Sequence, residues 1–359
     1  MSKHILYCLL IIILASCTYN TQRQEYTING TVASSMLDGD KVMIYAIAPG
    51  SELLPLDSCI VENGTFHMNG VAPIDPSNVL LSVVDKHTGE NSGVDRMFIL
   101  EAGNIRIDID SSLISTVTGT NINDMYNTCT LAMIVYQDSC DALADTDMPA
   151  DQRRNIYFKL RKNRNTEMIN AMLPNIDYNA TQDIIRERYT IFSKDELAQI
   201  AASLDSKHSK SAQNYRTKTR ESVIGSTIDE VVIPSPDSTM VRMQDVFSQH
   251  DYTLIDFWAS WCGPCMRNMI ALKQLYQKYQ GPRFEVIGVS LDDNKSKWLK
   301  AIDQVDGGWT DVSYLTGWSC DLATRLNIDY VPATILVDRK GVIVARDPSY
   351  SELEIILAL

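Results

Sequence analysis

Asp256-Phe257-Trp258-Ala259-Ser260-Trp261-Cys262-Gly263-Pro264-Cys265 decides how this chain is read. The run from Tyr252 to Trp258 is of the kind that builds a buried strand. From Cys262 to Tyr279 the apolar residues recur at helical spacing, and Gly281-Pro282 closes the pattern. The two cysteines are therefore placed where a strand ends and a helix begins. A helix N-terminus carries unpaired N–H groups and a partial positive charge, which stabilise a thiolate on Cys262. Cys265 falls in the first helical turn, within disulfide reach of Cys262. Pro264 costs no hydrogen bond so early in a helix, and Gly263 leaves the approach open. This arrangement predicts thiol-disulfide exchange: attack by Cys262, a mixed disulfide, then resolution by Cys265. Half a zinc site or a structural bridge are the alternative readings of the same spacing. Zinc lacks the other half of its ligand set, because the sequence holds no second C-x-x-C and no H-x-x-x-H.

Strands and helices alternate beyond this segment. Phe284–Leu291 reads as a second buried strand and Lys297–Val305 as a helix. Cys320–Leu326 reads as a short helix. Tyr330–Asp338 and Val342–Arg346 form a strand pair around Arg339-Lys340-Gly341, and a helix runs from Glu352 to Leu359. The pattern predicts a central sheet covered by helices over residues 225–359.

Upstream the character changes twice. Residues 26–120 read as all-β: Tyr26–Val32 and Lys41–Ile47 are strand candidates, and Glu62-Asn63-Gly64-Thr65-Phe66 carries a hairpin turn. Strands at this spacing predict a small sandwich or barrel. Residues 121–215 contain no glycine and read as a helical connector. Asp151–Leu173 is helix-like and ends at Pro174, while Ser193-Lys194-Asp195-Glu196 is a capping box that starts a helix near residue 194. The basic run Arg153, Arg154, Lys159, Arg161, Lys162 and Arg164 is read as a solvated helix face in preference to an anion site.

At 359 residues, two or three domains are expected. The net charge of −13 argues against a nucleic-acid partner, since phosphate contacts need clustered Lys and Arg. Lys3 and His4 precede an apolar run from Ile5 to Leu14 that is too short to span a membrane. Small residues follow it, as in a signal peptide over residues 1–16. Leu14-Ala15-Ser16-Cys17 resembles the bacterial lipoprotein box, which implies that Cys17 carries lipid and that residues 17–25 are a tether. An ordinary signal peptide with a coincidental cysteine is the alternative. An exported chain lives where disulfides persist. Of eight cysteines, Cys129 and Cys140 are a possible bridge only if a turn separates them; Cys320 reads as a structural thiol rather than a third redox thiol.

The segment Asp256–Cys265, the sequence Tyr330-Val331-Pro332-Ala333-Thr334 and the turn Val337-Asp338-Arg339-Lys340-Gly341 together resemble the thioredoxin superfamily, and within it the TlpA/ResA-like envelope oxidoreductases. Residues 26–120 more weakly resemble the β domain of unknown function that precedes such modules in envelope lipoproteins. The resemblance implies a C-terminal α/β thioredoxin fold, with Cys262 as nucleophile, Cys265 as resolving thiol and Pro332 as a cis proline against the dithiol. It implies that Val331 offers its backbone to a substrate strand beside Gly263 and Pro264, and that Trp261 shields the dithiol. Asp256 is implied to be a buried carboxylate that moves protons for Cys265; a solvated strand-end carboxylate is the alternative. Two departures stand out. Ala333 follows the proline where Thr is commoner, and no Lys pairs Asp256 on the next strand, where Gly288, Val289 and Ser290 stand. No cofactor and no metal are implied. The expected partners are cysteine-containing exported proteins and a membrane electron donor, met in the periplasm by a lipid-anchored enzyme. Gly263-Pro264 favours reduction; an oxidase or isomerase, or a scaffold with a passive module, are the rival readings.

Overall fold

The computed structural model describes residues 24–33, 35–47, 52–74, 76–205 and 223–358. The signal segment 1–16, the attachment site Cys17 and most of the tether 17–25 lie outside the described residues.

Eight strands build the N-terminal part: β1 (Glu25–Val32), β2 (Lys41–Ile47), β3 (Leu53–Ile60), β4 (Thr65–Val71), β5 (Ser77–Val84), β6 (Asn91–Leu100), β7 (Gly103–Ile109) and β8 (Ser115–Thr118). They form two four-stranded sheets, ordered β4-β1-β7-β8 and β3-β2-β5-β6. The sheets share one core, in which Ile28 and Ile105 from one meet Val42 and Leu81 from the other. Period-two alternation produces this: β1 turns Tyr26, Ile28, Gly30 and Val32 inward. Gly30 is required there, because a Cβ would come within 2.0 Å of the Phe66 ring. Asn63 and Gly64 both take positive φ, 53° and 71°, which is the turn that the Asn-Gly pair predicts.

Four helices follow: α1 (Asn121–Ala144), α2 (Ala150–Met172), α3 (Asn179–Arg188) and α4 (Lys194–Asp205). The predicted capping box is present, with Glu196 N–H donating to Ser193 Oγ at 3.3 Å and Ser193 N–H to Glu196 Oε2 at 2.7 Å. Cys129 and Cys140 both lie on α1, a single unbroken helix, and both are free thiols. A rise of about 1.5 Å per residue separates them along its axis, so the possible bridge is excluded.

The basic run on α2 is also corrected. Arg154 donates to Ala358 O at 2.7 Å, Arg161 to Val344 O at 2.7 Å, and Arg164 is buried with its guanidinium 4.1 Å from the Tyr136 ring centroid. Half of this face is therefore docked on the C-terminal part, where the carbonyls of Val344 and Ala358 accept from it.

The C-terminal part opens with a two-stranded pair, β9 (Val232–Pro234) and β10 (Met240–Arg242), and a short helix α5 (Met243–Gln249). Then come β11 (Tyr252–Trp258), α6 (Gly263–Tyr279), β12 (Phe284–Ser290), α7 (Lys295–Val305), β13 (Thr310–Val312), α8 (Asp321–Arg325), β14 (Ala333–Asp338), β15 (Ile343–Arg346) and α9 (Tyr350–Leu357). The sheet order is β13-β12-β11-β14-β15, parallel from β13 to β11 and antiparallel from β11 to β15. β11 is central and buried almost along its full length, as its unbroken apolar run requires. β14 starts at Ala333 rather than Tyr330, because Pro332 has no N–H for a ladder; the Val331–Pro332 peptide before it is cis. Tyr136, Cys140, Leu143 and Tyr157 of α1 and α2 share a core with Leu254, Leu272, Leu336 and Ile355. Among the described residues no helix is long and apolar enough to cross a membrane.

Candidate active site

The dithiol stands where β11 delivers it. Past Trp258 the chain turns, and Asp292 fixes the turn: its carboxylate accepts from Ser260 N–H at 2.9 Å, Ser260 Oγ at 2.5 Å and Ser290 Oγ at 2.8 Å. Cys262 then caps α6, with its Sγ accepting from Cys265 N–H at 3.1 Å. Cys262 and Cys265 form a disulfide, with Cα atoms 5.3 Å apart. That sulfur is the one that meets the N-terminal N–H groups, so after reduction Cys262 has the electrostatic support for a thiolate. Cys265 is the deeper of the two, 1% exposed against 5%.

The predicted neighbours are found around this pair. Pro332, in its cis peptide with Val331, lines a cavity of about 190 Å³ together with Cys265, Asp256, Thr334, Asp347 and Tyr350. Asp256 is buried, which removes the solvated alternative. Burial, and then the charge of Asp347, push its carboxyl up to about 7. Such a group changes protonation near neutral pH and sits on the same cavity as the buried sulfur. Gly263 and Pro264 are exposed beside Cys262, and the guanidinium of Arg267 approaches to 3.6 Å from where a Gly263 Cβ would stand.

Trp261 is 54% exposed, so it is not a core residue; Trp258, by contrast, is buried as its strand position requires. Instead of covering itself, Trp261 pairs with Trp318, ring centroids 6.2 Å apart, and the two indoles form an apolar rim on the dithiol side of the domain. Cys320 is buried at the start of α8, and burial pushes its thiol up, away from easy ionisation. That is the chemistry of a structural thiol.

Several site residues have no sequence signal. Asp311 comes from the three-residue strand β13, and its carboxylate occupies the space above Gly288. Burial and the charge of Asp256 push it up to about 7. The indole N–H groups of Trp309 and Trp258 face it and offset part of that rise, although neither Asp311 Oδ1 nor Trp258 Nε1 reaches full hydrogen-bond geometry. Asp347, Tyr350 and Trp318 arrive from distant segments in the same way. Only the missing lysine opposite Asp256 hinted that something else fills that place. Among the described residues no cluster of His, Cys, Asp and Glu is arranged to hold a metal ion.

Comparison with known proteins agrees with this geometry. Residues 249–343 match the family model described as Thioredoxin-like, and residues 26–126 match the Domain of unknown function (DUF4369). The thiol-disulfide oxidoreductase ResA of Bacillus thuringiensis subsp. konkukian is 22% identical over 132 residues, covering 37% of this chain and 73% of that protein. ResA of Geobacillus thermodenitrificans is 24% identical over 128 residues, covering 36% and 71%. A solved thiol-disulfide oxidoreductase from Bacteroides fragilis is 30% identical, covering 34% of this chain and 91% of that one, with a TM-score of 0.33. A disulfide-forming cysteine pair at a helix N-terminus, inside the residues matched by that family model, makes the C-terminal part of this chain a thioredoxin-like domain of the thiol-disulfide oxidoreductase kind, with a DUF4369 domain ahead of it.

Proposed function

We propose that this enzyme reduces disulfides of exported proteins in the cell envelope, tethered there by lipid on Cys17 and recharged by a membrane electron donor. The observation that carries the reading is the asymmetry of the pair: Cys262 caps α6 next to the exposed Gly263 and Pro264, while Cys265 lies deeper, on the cavity that Asp256 lines. The reduced Cys262 thiolate attacks one sulfur of a partner disulfide. A mixed disulfide forms, and the partner's other sulfur leaves as a thiolate. Cys265 then gives its proton to Asp256, and its sulfur attacks Cys262 Sγ. The Cys262–Cys265 disulfide forms, the second partner thiolate leaves, and two electrons have passed to the partner. Val331 and the cis Pro332 bound the groove in which a substrate strand would lie, beside Gly263, Pro264 and the exposed Trp261.

Gly263-Pro264 between the cysteines supports the reducing direction, and the apolar run with Leu14-Ala15-Ser16-Cys17 supports the envelope address. The test is insulin-disulfide reduction by the chain from residue 18 onward, against Cys262→Ser. Equal, negligible rates in both would sink the enzymatic reading. A potential for the Cys262–Cys265 couple near about −120 mV rather than about −270 mV would replace reduction by oxidation. Metabolic labelling with a radioactive fatty acid, lost in Cys17→Ala, tests the anchor.

A further inference from the structure

Asp347 follows β15 and takes a left-handed backbone, φ 44°, that few residues other than Gly, Asn and Asp adopt. Three hydrogen bonds tie it to one segment. Oδ1 accepts from Thr334 N–H at 2.7 Å, and Oδ2 accepts from the Tyr330 hydroxyl at 2.8 Å. Its own N–H donates to Thr334 O at 2.8 Å. Tyr330 stands just before the cis Val331–Pro332 peptide and Thr334, the second residue of β14, just after it, so the two bracket the cis-proline loop. The same carboxylate lines the cavity of Asp256, Cys265 and Pro332.

We propose that Asp347 is a positioning residue for the exchange reaction: it clamps both ends of the cis-proline loop and sets a negative charge at the cavity that serves Cys265. This rests on the reading of Pro332 and Asp256 as site residues given above. A loop whose peptide groups meet a substrate must be held to within a fraction of an ångström, and a single side chain bonded to both of its ends removes its freedom to swing. The charge acts on Asp256, whose carboxyl is raised by burial first and by Asp347 second. The other groups around Asp256 are Tyr350 from α9, Asp311 from β13 and Cys265 from α6, and of these Tyr350 and Asp311 are themselves pushed up, by burial first and by Asp256 second.

Two variants of the full chain separate clamp from charge. Asp347→Asn keeps an oxygen acceptor and loses the charge; Asp347→Ala loses both. In the reduced protein, carbon-detected carboxyl NMR should show the Asp256 midpoint falling by about half a pH unit or more in both variants. In insulin reduction, KM should rise about three- to tenfold in Asp347→Ala and markedly less in Asp347→Asn. Tyr330→Phe removes one clamp bond with little risk to folding and should give a smaller KM rise. An unmoved Asp256 midpoint overturns the electrostatic half. A wild-type KM in both Asp347→Ala and Tyr330→Phe overturns the clamp. The titration needs no turnover, so it tests Asp347 even if the chain reduces no disulfide.

Discussion

Asp256 and Asp311 sit one strand apart on the same face of the sheet, with Gly288 between them as the register partner of both. The glycine is what makes this possible. A Cβ at position 288 would stand 2.3 Å from Asp311 Oδ1 and 3.1 Å from Trp258 Nε1. Gly288→Ala should therefore force the buried carboxylate to move, at a cost of about 1–3 kcal/mol. Urea denaturation at pH 5 measures it. An unchanged midpoint would mean that the Asp311 side chain swings away freely.

Asp256 titrates at about 7 in the folded chain, against an ordinary value of 3.8. The unfolded chain therefore loses this proton at lower pH than the folded chain. Stability linked to Asp256 is full below about pH 4 and is lost as pH rises through about 7. Asp256→Asn should match the wild type at pH 4 and exceed it at pH 8, by about 2 kcal/mol and at most about 4. Thermal unfolding at both pH values checks the sign. Asp256→Asn should also slow the resolution step about 10²-fold at pH 7, read by quenched-flow loss of the mixed disulfide.

Attack and resolution should separate cleanly by residue. Cys265→Ala leaves Cys262 at the helix N-terminus and should accumulate mixed disulfides with partner proteins. Cys262→Ser should accumulate none, because Cys265 is buried beneath it. Non-reducing gels followed by mass spectrometry give the answer, and equal trapping by both variants would reverse the assignment.

Glu352 joins the helical part to the catalytic part. Its Oε1 accepts from Tyr136 at 2.5 Å and Tyr157 at 3.1 Å, while Oε2 accepts from Ser349 N–H at 2.8 Å in the capping box of α9. Glu352→Ala removes the carboxylate half of the capping box, leaving the Ser349 hydroxyl in place, and takes the acceptor from two tyrosine hydroxyls, one of them fully buried. The loss should be about 2–4 kcal/mol by chemical denaturation. A loss below about 1 kcal/mol would show that water reaches these hydroxyls.

What the sequence determined by itself is local. The strand before Cys262 and the helix after it, the Asn63-Gly64 turn and the Ser193–Glu196 cap all depend on residues within one element or one turn, and each stands where its chemistry places it. The thioredoxin-like character of the C-terminal part was legible for the same reason, since a few contiguous segments carry it. The tertiary structure decided everything that depends on meeting across the chain. Asp311 fills the space over Gly288, Asp347 reaches back to Tyr330 and Thr334, and Arg161 leaves the solvent for Val344 O. A lone Asp or Arg in sequence carries no mark of its distant partner. Burial and the desolvation that shifts a carboxyl arise only when separate elements close over it, so the Cys262–Cys265 motif was readable from the chain, and the electrostatics beneath it only from the fold.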